Sequence, residues 1–137
     1  MRILALDYGS KRIGVALSDE LKMIAQPLEF YSAHPFADFV AGLEELLQAK
    51  EVEMVLVGLP RNLDGSYGPA ALRVQEFVAT LRSALTVPVV TWDERLTTVQ
   101  ANRALIAGGV RRQDRKKKVD KMAAAILLQS YLDSRAA

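Results

Sequence analysis

Four carboxylates stand where this sequence could do chemistry. Asp7 closes the apolar run Arg2-Ile3-Leu4-Ala5-Leu6, and Asp93 and Glu94 close Val87-Pro88-Val89-Val90-Thr91-Trp92. Asp120 opens the stripe Asp120, Ala123, Ala124, Leu127, Leu128 and Tyr131, whose three-and-four spacing predicts one buried helical face. An acid on an apolar stripe is costly unless it is paired, hydrogen-bonded or bound to a cation. Ala123 and Ala124 would let that helix lie close to a sheet and bring Asp120 to the acids at the strand ends. Asp93 and Glu94 are neighbours on a strand and point to opposite faces, so at most one readily joins Asp7. Glu94, with the longer reach, is the expected partner.

The chemistry open to such a trio is narrow. The chain has no cysteine and a single histidine, His34, most simply a loop residue before Pro35. Thiolate zinc sites, iron–sulfur clusters, disulfides and imidazole-rich sites are thereby excluded. Carboxylate oxygens alone suit Mg²⁺ or Mn²⁺, ions that can orient an attacking water and stabilise the leaving oxygen of a phosphodiester. Each acid also fits an ordinary structural part: Asp7 a turn closed through backbone hydrogen bonds, Asp93 or Glu94 a solvated ion pair with Arg95, and Asp120 a favourable charge in a first helical turn.

Cations are placed to meet a polyanion. Arg111, Arg112, Arg115, Lys116, Lys117 and Lys118 crowd together just before the Asp120 helix, offset only by Asp114, although the net charge is only +2. Such a run is also what a solvated linker looks like. The segment from Gly58 to Pro69 carries Arg61 and Asn62 among turn residues and reads either as a phosphate-binding loop or as a plain double turn.

The elements that must hold these residues follow from periodicity. With 137 residues, half of them apolar, 8 glycines and 5 prolines, the chain is expected to fold as one globular domain spanning 1–137. Arg2 to Asp7 and Ile13 to Leu17 predict a central antiparallel hairpin turning at Gly9 and Ser10, and a third strand is expected near Pro27 to Tyr31. Pro35 is expected at the first position of a helix carrying Phe36, Phe39, Val40, Leu43, Leu46 and Leu47. Strands at Val52 to Val57 and Val87 to Trp92 alternate with a helix from about Ala70 to Leu85. Two terminal helices follow, from Thr97 to Ile106 and from about Lys118 to Leu132. The fold class is α/β, with a mixed sheet combining an antiparallel hairpin and parallel crossover units, flanked by helices. The opening run lacks the pattern of a cleavable leader, and no apolar stretch nears the roughly 20 residues needed to span a bilayer, so a cytoplasmic location and no membrane partner are expected.

Four ordered motifs carry a family resemblance. They are Leu4-Ala5-Leu6-Asp7-Tyr8-Gly9-Ser10-Lys11-Arg12-Ile13-Gly14-Val15-Ala16; Val57-Gly58-Leu59-Pro60 with Asp64-Gly65-Ser66; Trp92-Asp93-Glu94-Arg95-Leu96-Thr97-Thr98; and Val119-Asp120 leading into Ala123-Ala124-Ala125-Ile126-Leu127-Leu128-Gln129. Together they resemble the YqgF (RuvX) family of bacterial RNase H-like proteins, described as Holliday-junction resolvases and pre-16S rRNA nucleases. The resemblance spans nearly the whole chain, although residues 23–50 carry no family signature. It implies an RNase H-like fold and metal-dependent cleavage of structured nucleic acid, either precursor ribosomal RNA or branched or single-stranded DNA. Asp7, Glu94 and Asp120 would be the catalytic and metal-holding acids. Lys11, Arg12, Arg61, Asn62, Arg95, Arg111, Arg112, Arg115, Lys116 and Lys117 would position the nucleic-acid backbone.

Two other functions compete. Asp7-Tyr8-Gly9-Ser10-Lys11 is similar to the first phosphate-binding turn of actin-like ATPases and sugar kinases, but those need two such domains and this chain is long enough for one. A non-cleaving RNA-binding factor of ribosome assembly would need the basic residues but not convergent acids. Monomer and homodimer are both open, a symmetric pair being what a four-way junction would call for.

If the basic run supplies affinity, replacing Arg115, Lys116 and Lys117 together with Ala weakens nucleic-acid binding and flattens its salt dependence by about 0.9 in log–log slope per lost phosphate contact. Binding titrations across a salt series read this directly, and an unchanged slope removes these residues from the binding surface.

Overall fold

A computed structural model describes residues 1–9, 11–60, 64–93 and 112–136, with side chains in the last segment described over 122–135. Strands β1 (Arg2–Asp7) and β2 (Arg12–Ser18) pair antiparallel with Asp7 opposite Gly14, forming the expected hairpin. The turn between them depends on Gly9: a methyl group there would stand 2.5 Å from the Arg12 carbonyl oxygen. Residues Pro27 to Tyr31 do not form one strand, contrary to expectation. Two short strands flank the interval instead, β3 (Ala25–Pro27) and β4 (Tyr31–Ser32), both antiparallel to β2. Three residues between them let the chain leave one stretch of β2 and rejoin it further along.

Helix α1 (Phe36–Ala49) follows, with Pro35 as its extended N-cap residue rather than its first helical residue. Strand β5 (Val52–Leu59) runs parallel to β1, helix α2 (Pro69–Ala84) begins with proline at its N-terminus, and β6 (Val89–Asp93) runs parallel to β5. The strand order is β3-β2-β1-β5-β6, with β4 beside β2. The helix expected from Thr97 to Ile106 lies outside the described residues. Helix α3 (Arg112–Ala136) begins before the expected Lys118, so residues 112–118 are helical backbone and not a linker.

Strand alternation gives the sheet two different faces. Leu4, Leu6, Ile13, Val15, Val55 and Val57 pack against Phe39, Leu43 and Leu47 of α1 and Val74, Phe77 and Leu81 of α2. On the other face Ile3, Ala5, Ala16 and Leu56 meet Ala124, Ala125, Leu127, Leu128 and Leu132 of α3. The first face lies under α1 and α2; on the second, which mixes alanines with Ile3 and Leu56, α3 is the packed helix among the described residues. Gln129 ties α3 to the sheet edge: its amide oxygen accepts the Ala25 N–H at 2.9 Å and its amide nitrogen donates to the Met23 carbonyl at 2.9 Å. Among the described residues no helix is long and apolar enough to cross a membrane.

Gly9→Ala is expected to destabilise the protein by about 1–3 kcal/mol, because the added methyl meets backbone that cannot rotate away. Denaturant unfolding checks it, and a midpoint equal to that of the unsubstituted chain contradicts the close approach.

Candidate active site

Asp7 is the last residue of β1 and half-buried. Its alternation with Ile3 and Ala5 puts it on the α3 face. The neighbouring position on β2 confirms this: a methyl on Gly14 would lie 3.5 Å from Asp7 Cβ, 3.7 Å from Ala124 Cβ and 3.5 Å from Cε1 of Phe30. Gly14 therefore leaves an open space bordered by the acid, the helix and an aromatic ring. Ala124 lies one helical turn beyond residue 120, a rise of about 6 Å, so the α3 backbone carries position 120 on the turn next to the one beside Asp7.

The two acids at the end of β6 separate by register. Leu59, which belongs to the core under α1 and α2, pairs with Asp93, while Trp92 packs on the α3 side against Tyr131 at a ring-centroid distance of 5.1 Å. Asp93 thus points to the face opposite Asp7, as strand alternation predicts. Glu94 lies outside the described residues, as do Arg61, Asn62, Arg95 and Arg111. Arg112, Arg115, Lys116 and Lys117, like Asp120, fall on the α3 backbone, and their side chains are outside the described set.

Lys11 and Arg12 are exposed where the β1–β2 turn enters β2. The Arg12 guanidinium carbon stands 4.2 Å from the centroid of the Phe30 ring. Phe30 carried no signal in the sequence, because it lies between two strands too short to show a period. After β5, the carboxylate of Asp64 accepts hydrogen bonds from the Ser66 N–H at 2.9 Å and the Ser66 hydroxyl at 2.6 Å, and Gly65 adopts a φ of 88°, as a tight turn requires.

A mixed sheet with an antiparallel hairpin and parallel crossovers, flanked by helices, is an RNase H-like arrangement. The fold superposes on RuvC from T. thermophilus, solved in complex with a Holliday junction substrate, with a TM-score of 0.54 at 19% identity over 100% of this chain and 96% of that one. It also superposes on the fowlpox virus Holliday junction resolvase, with a TM-score of 0.50 at 15% identity over 98% and 99%.

Sequence places it more closely. Residues 1–134 match the family model of RuvX, Holliday junction resolvase, and the chain belongs to that family. Relatives bearing the name "Putative pre-16S rRNA nuclease" include one from Caldanaerobacter subterraneus subsp. tengcongensis, 51% identical over 135 residues, 98% of this chain and 97% of the relative. Another, from Bacillus subtilis strain 168, is 46% identical over 136 residues, 98% and 99% of the two.

The open space at Gly14 sets a graded expectation. Gly14→Ala meets its neighbours at ordinary contact distance and should leave stability within about 1 kcal/mol, whereas Gly14→Leu must push Phe30 or α3 aside at about 1–3 kcal/mol. Thermal unfolding of the pair tests this, and equal stability would mean that α3 does not seat against β2 as described.

Proposed function

We propose that the chain is a divalent-metal-dependent nuclease whose Asp7, Glu94 and Asp120 together hold the cation, and that its substrate is structured nucleic acid. Family membership supports the hydrolytic class. The observation that carries the site is the meeting of Asp7 and Ala124 across Gly14, which supports bringing position 120 toward the strand-end acid. The orientation of Asp93, on the face opposite Asp7, supports Glu94 rather than Asp93 as the third member.

The donor set fits Mg²⁺ or Mn²⁺: all oxygen, at a strand end, with a glycine where a side chain would fill the space. Bound there, such a cation supplies Lewis-acid stabilisation of charge developing on phosphodiester oxygens. The residues do the rest. Asp7 contributes a carboxylate fixed by a central strand, Asp120 one carried on the final helix, and Glu94 one from the end of β6. Lys11, Arg12, Arg61, Asn62, Arg95 and the basic run Arg111, Arg112, Arg115, Lys116 and Lys117 draw in and align the phosphate backbone. Precursor 16S rRNA is the substrate that the relatives' names favour, and four-way DNA junctions the one that the family's name favours.

Digestion of a four-way DNA junction, single-stranded DNA and precursor 16S rRNA, side by side under Mg²⁺ and Mn²⁺, tests the reading. Asp7→Asn, Glu94→Gln and Asp120→Asn should each lower cleavage by about 100-fold or more, the loss typical of removing a group that stabilises developing charge. Binding without metal should survive in all three, because losing a carboxylate relieves repulsion with phosphate. Asp93→Asn should do less than Glu94→Gln. Full metal-dependent cleavage by Asp7→Asn or Asp120→Asn would sink the mechanism.

A further inference from the structure

Arg12 and Phe30 form a unit that the acids do not account for. Residues 12, 14 and 16 alternate onto one face of β2, the face shared by Gly14's neighbours Asp7 and Ala124. Arg12 thus projects on the Asp7 side of the sheet, two residues, or about 7 Å of strand, from the position paired with Asp7. Pairing of Tyr31 with Ile13 turns Tyr31 into the α1 and α2 core and leaves the preceding Phe30 for the opposite face. The ring lies beside Gly14, 3.5 Å from where a Cβ there would stand, and the Arg12 guanidinium stands over it at 4.2 Å. Among the described residues no carboxylate pairs with Arg12, so its fork of N–H donors is not spent within them.

We infer that Phe30 is a positioning residue, whose ring holds the Arg12 guanidinium on the Asp7 face as a binding fork for one phosphate of the nucleic-acid strand entering the site. This rests on the nuclease reading for its ligand, a nucleic-acid phosphate. An exposed arginine loses rotamer freedom when it grips an anion, and a ring that already confines the side chain removes part of that cost. The planar guanidinium is essential to the arrangement, because it stacks on an aromatic face and still presents two parallel donors to phosphate oxygens, whereas an ammonium is a point charge. Lys11 lies on the opposite alternation, and its backbone carbonyl accepts the Ala33 N–H at 3.0 Å. It adds charge near the turn without a ring to orient it.

The test is a double-substitution cycle read by binding of the full chain, with chelator present, to a fluorescent single-stranded oligonucleotide and to a four-way DNA junction. Phe30→Leu should weaken binding about threefold to tenfold, and Phe30→Tyr should restore it. In an Arg12→Ala background, Phe30→Leu should change affinity by less than about twofold, since the ring acts through the guanidinium. Arg12→Lys, which leaves the packing around Phe30 intact, should lose as much as Phe30→Leu.

An undiminished Phe30→Leu effect without Arg12 would mean that the ring touches the nucleic acid itself, and overturns the inference. So would wild-type affinity in Phe30→Leu or Arg12→Lys. Cleavage is not part of the readout, so a chain that binds in this pattern but cuts nothing refutes the nuclease reading and leaves this one standing.

Discussion

The seating of α3 on the sheet face where Ala5 and Ala16 lie beside Ile3 and Leu56 is the contact on which the proposed site depends. Ala5 and Ala16 on the sheet and Ala124 and Ala125 on the helix are all buried. Gly14 extends the same flat track to the strand end. Small residues bring backbones near, and a helix that lies near a sheet carries its own side chains over the strand termini. The other face shows the contrast: Leu, Val and Ile beneath Phe39, Phe77 and Leu81 make a thick core that holds α1 and α2 in place.

Polar ties make that seating specific. Dispersion is weak per contact and, even with Leu127, Leu128 and Leu132 buried here, leaves a helix some freedom to slide. Gln129 removes that freedom by bonding both Met23 and Ala25, on either side of the entry to β3. Ser18, buried in β2, performs a similar service at the base of the hairpin, where its hydroxyl oxygen accepts the Ile3 N–H at 2.9 Å and its hydroxyl donates to the Asp19 carbonyl at 3.0 Å. The small-residue track brings the helix close, and the hydrogen bonds set where along the track it stops.

Much of this was legible in the residues, and what was not has physical causes. The hairpin, the valine-rich strand after residue 52 and α2 announce themselves because their apolar periods run for several turns or pleats. Alternation set Asp93 and Glu94 on opposite faces, and the longer reach of Glu94 chose between them. The segment between β3 and β4 did not, since strands of three and two residues are too short to carry a period and exist only because β2 offers an edge. The start of α3 was placed late for a different reason. Arginine and lysine are good helix formers, and a basic run without apolar spacing says nothing about whether its backbone is helical. Phe30 was invisible because its meaning comes from a glycine across the sheet and an arginine eighteen positions earlier.

The order in which the chain is made acquires significance from the C-terminal placement of α3. Ile3, Ala5 and Ala16 are synthesised early, yet their cover, residues 124–132, comes more than a hundred positions later. Until that segment arrives Ile3, Ala5 and Ala16 lack the α3 residues that pack on them, and the acid of β1 lacks α3 beside it. The residues of the α1 and α2 core are therefore all made before the helix that packs beside Asp7.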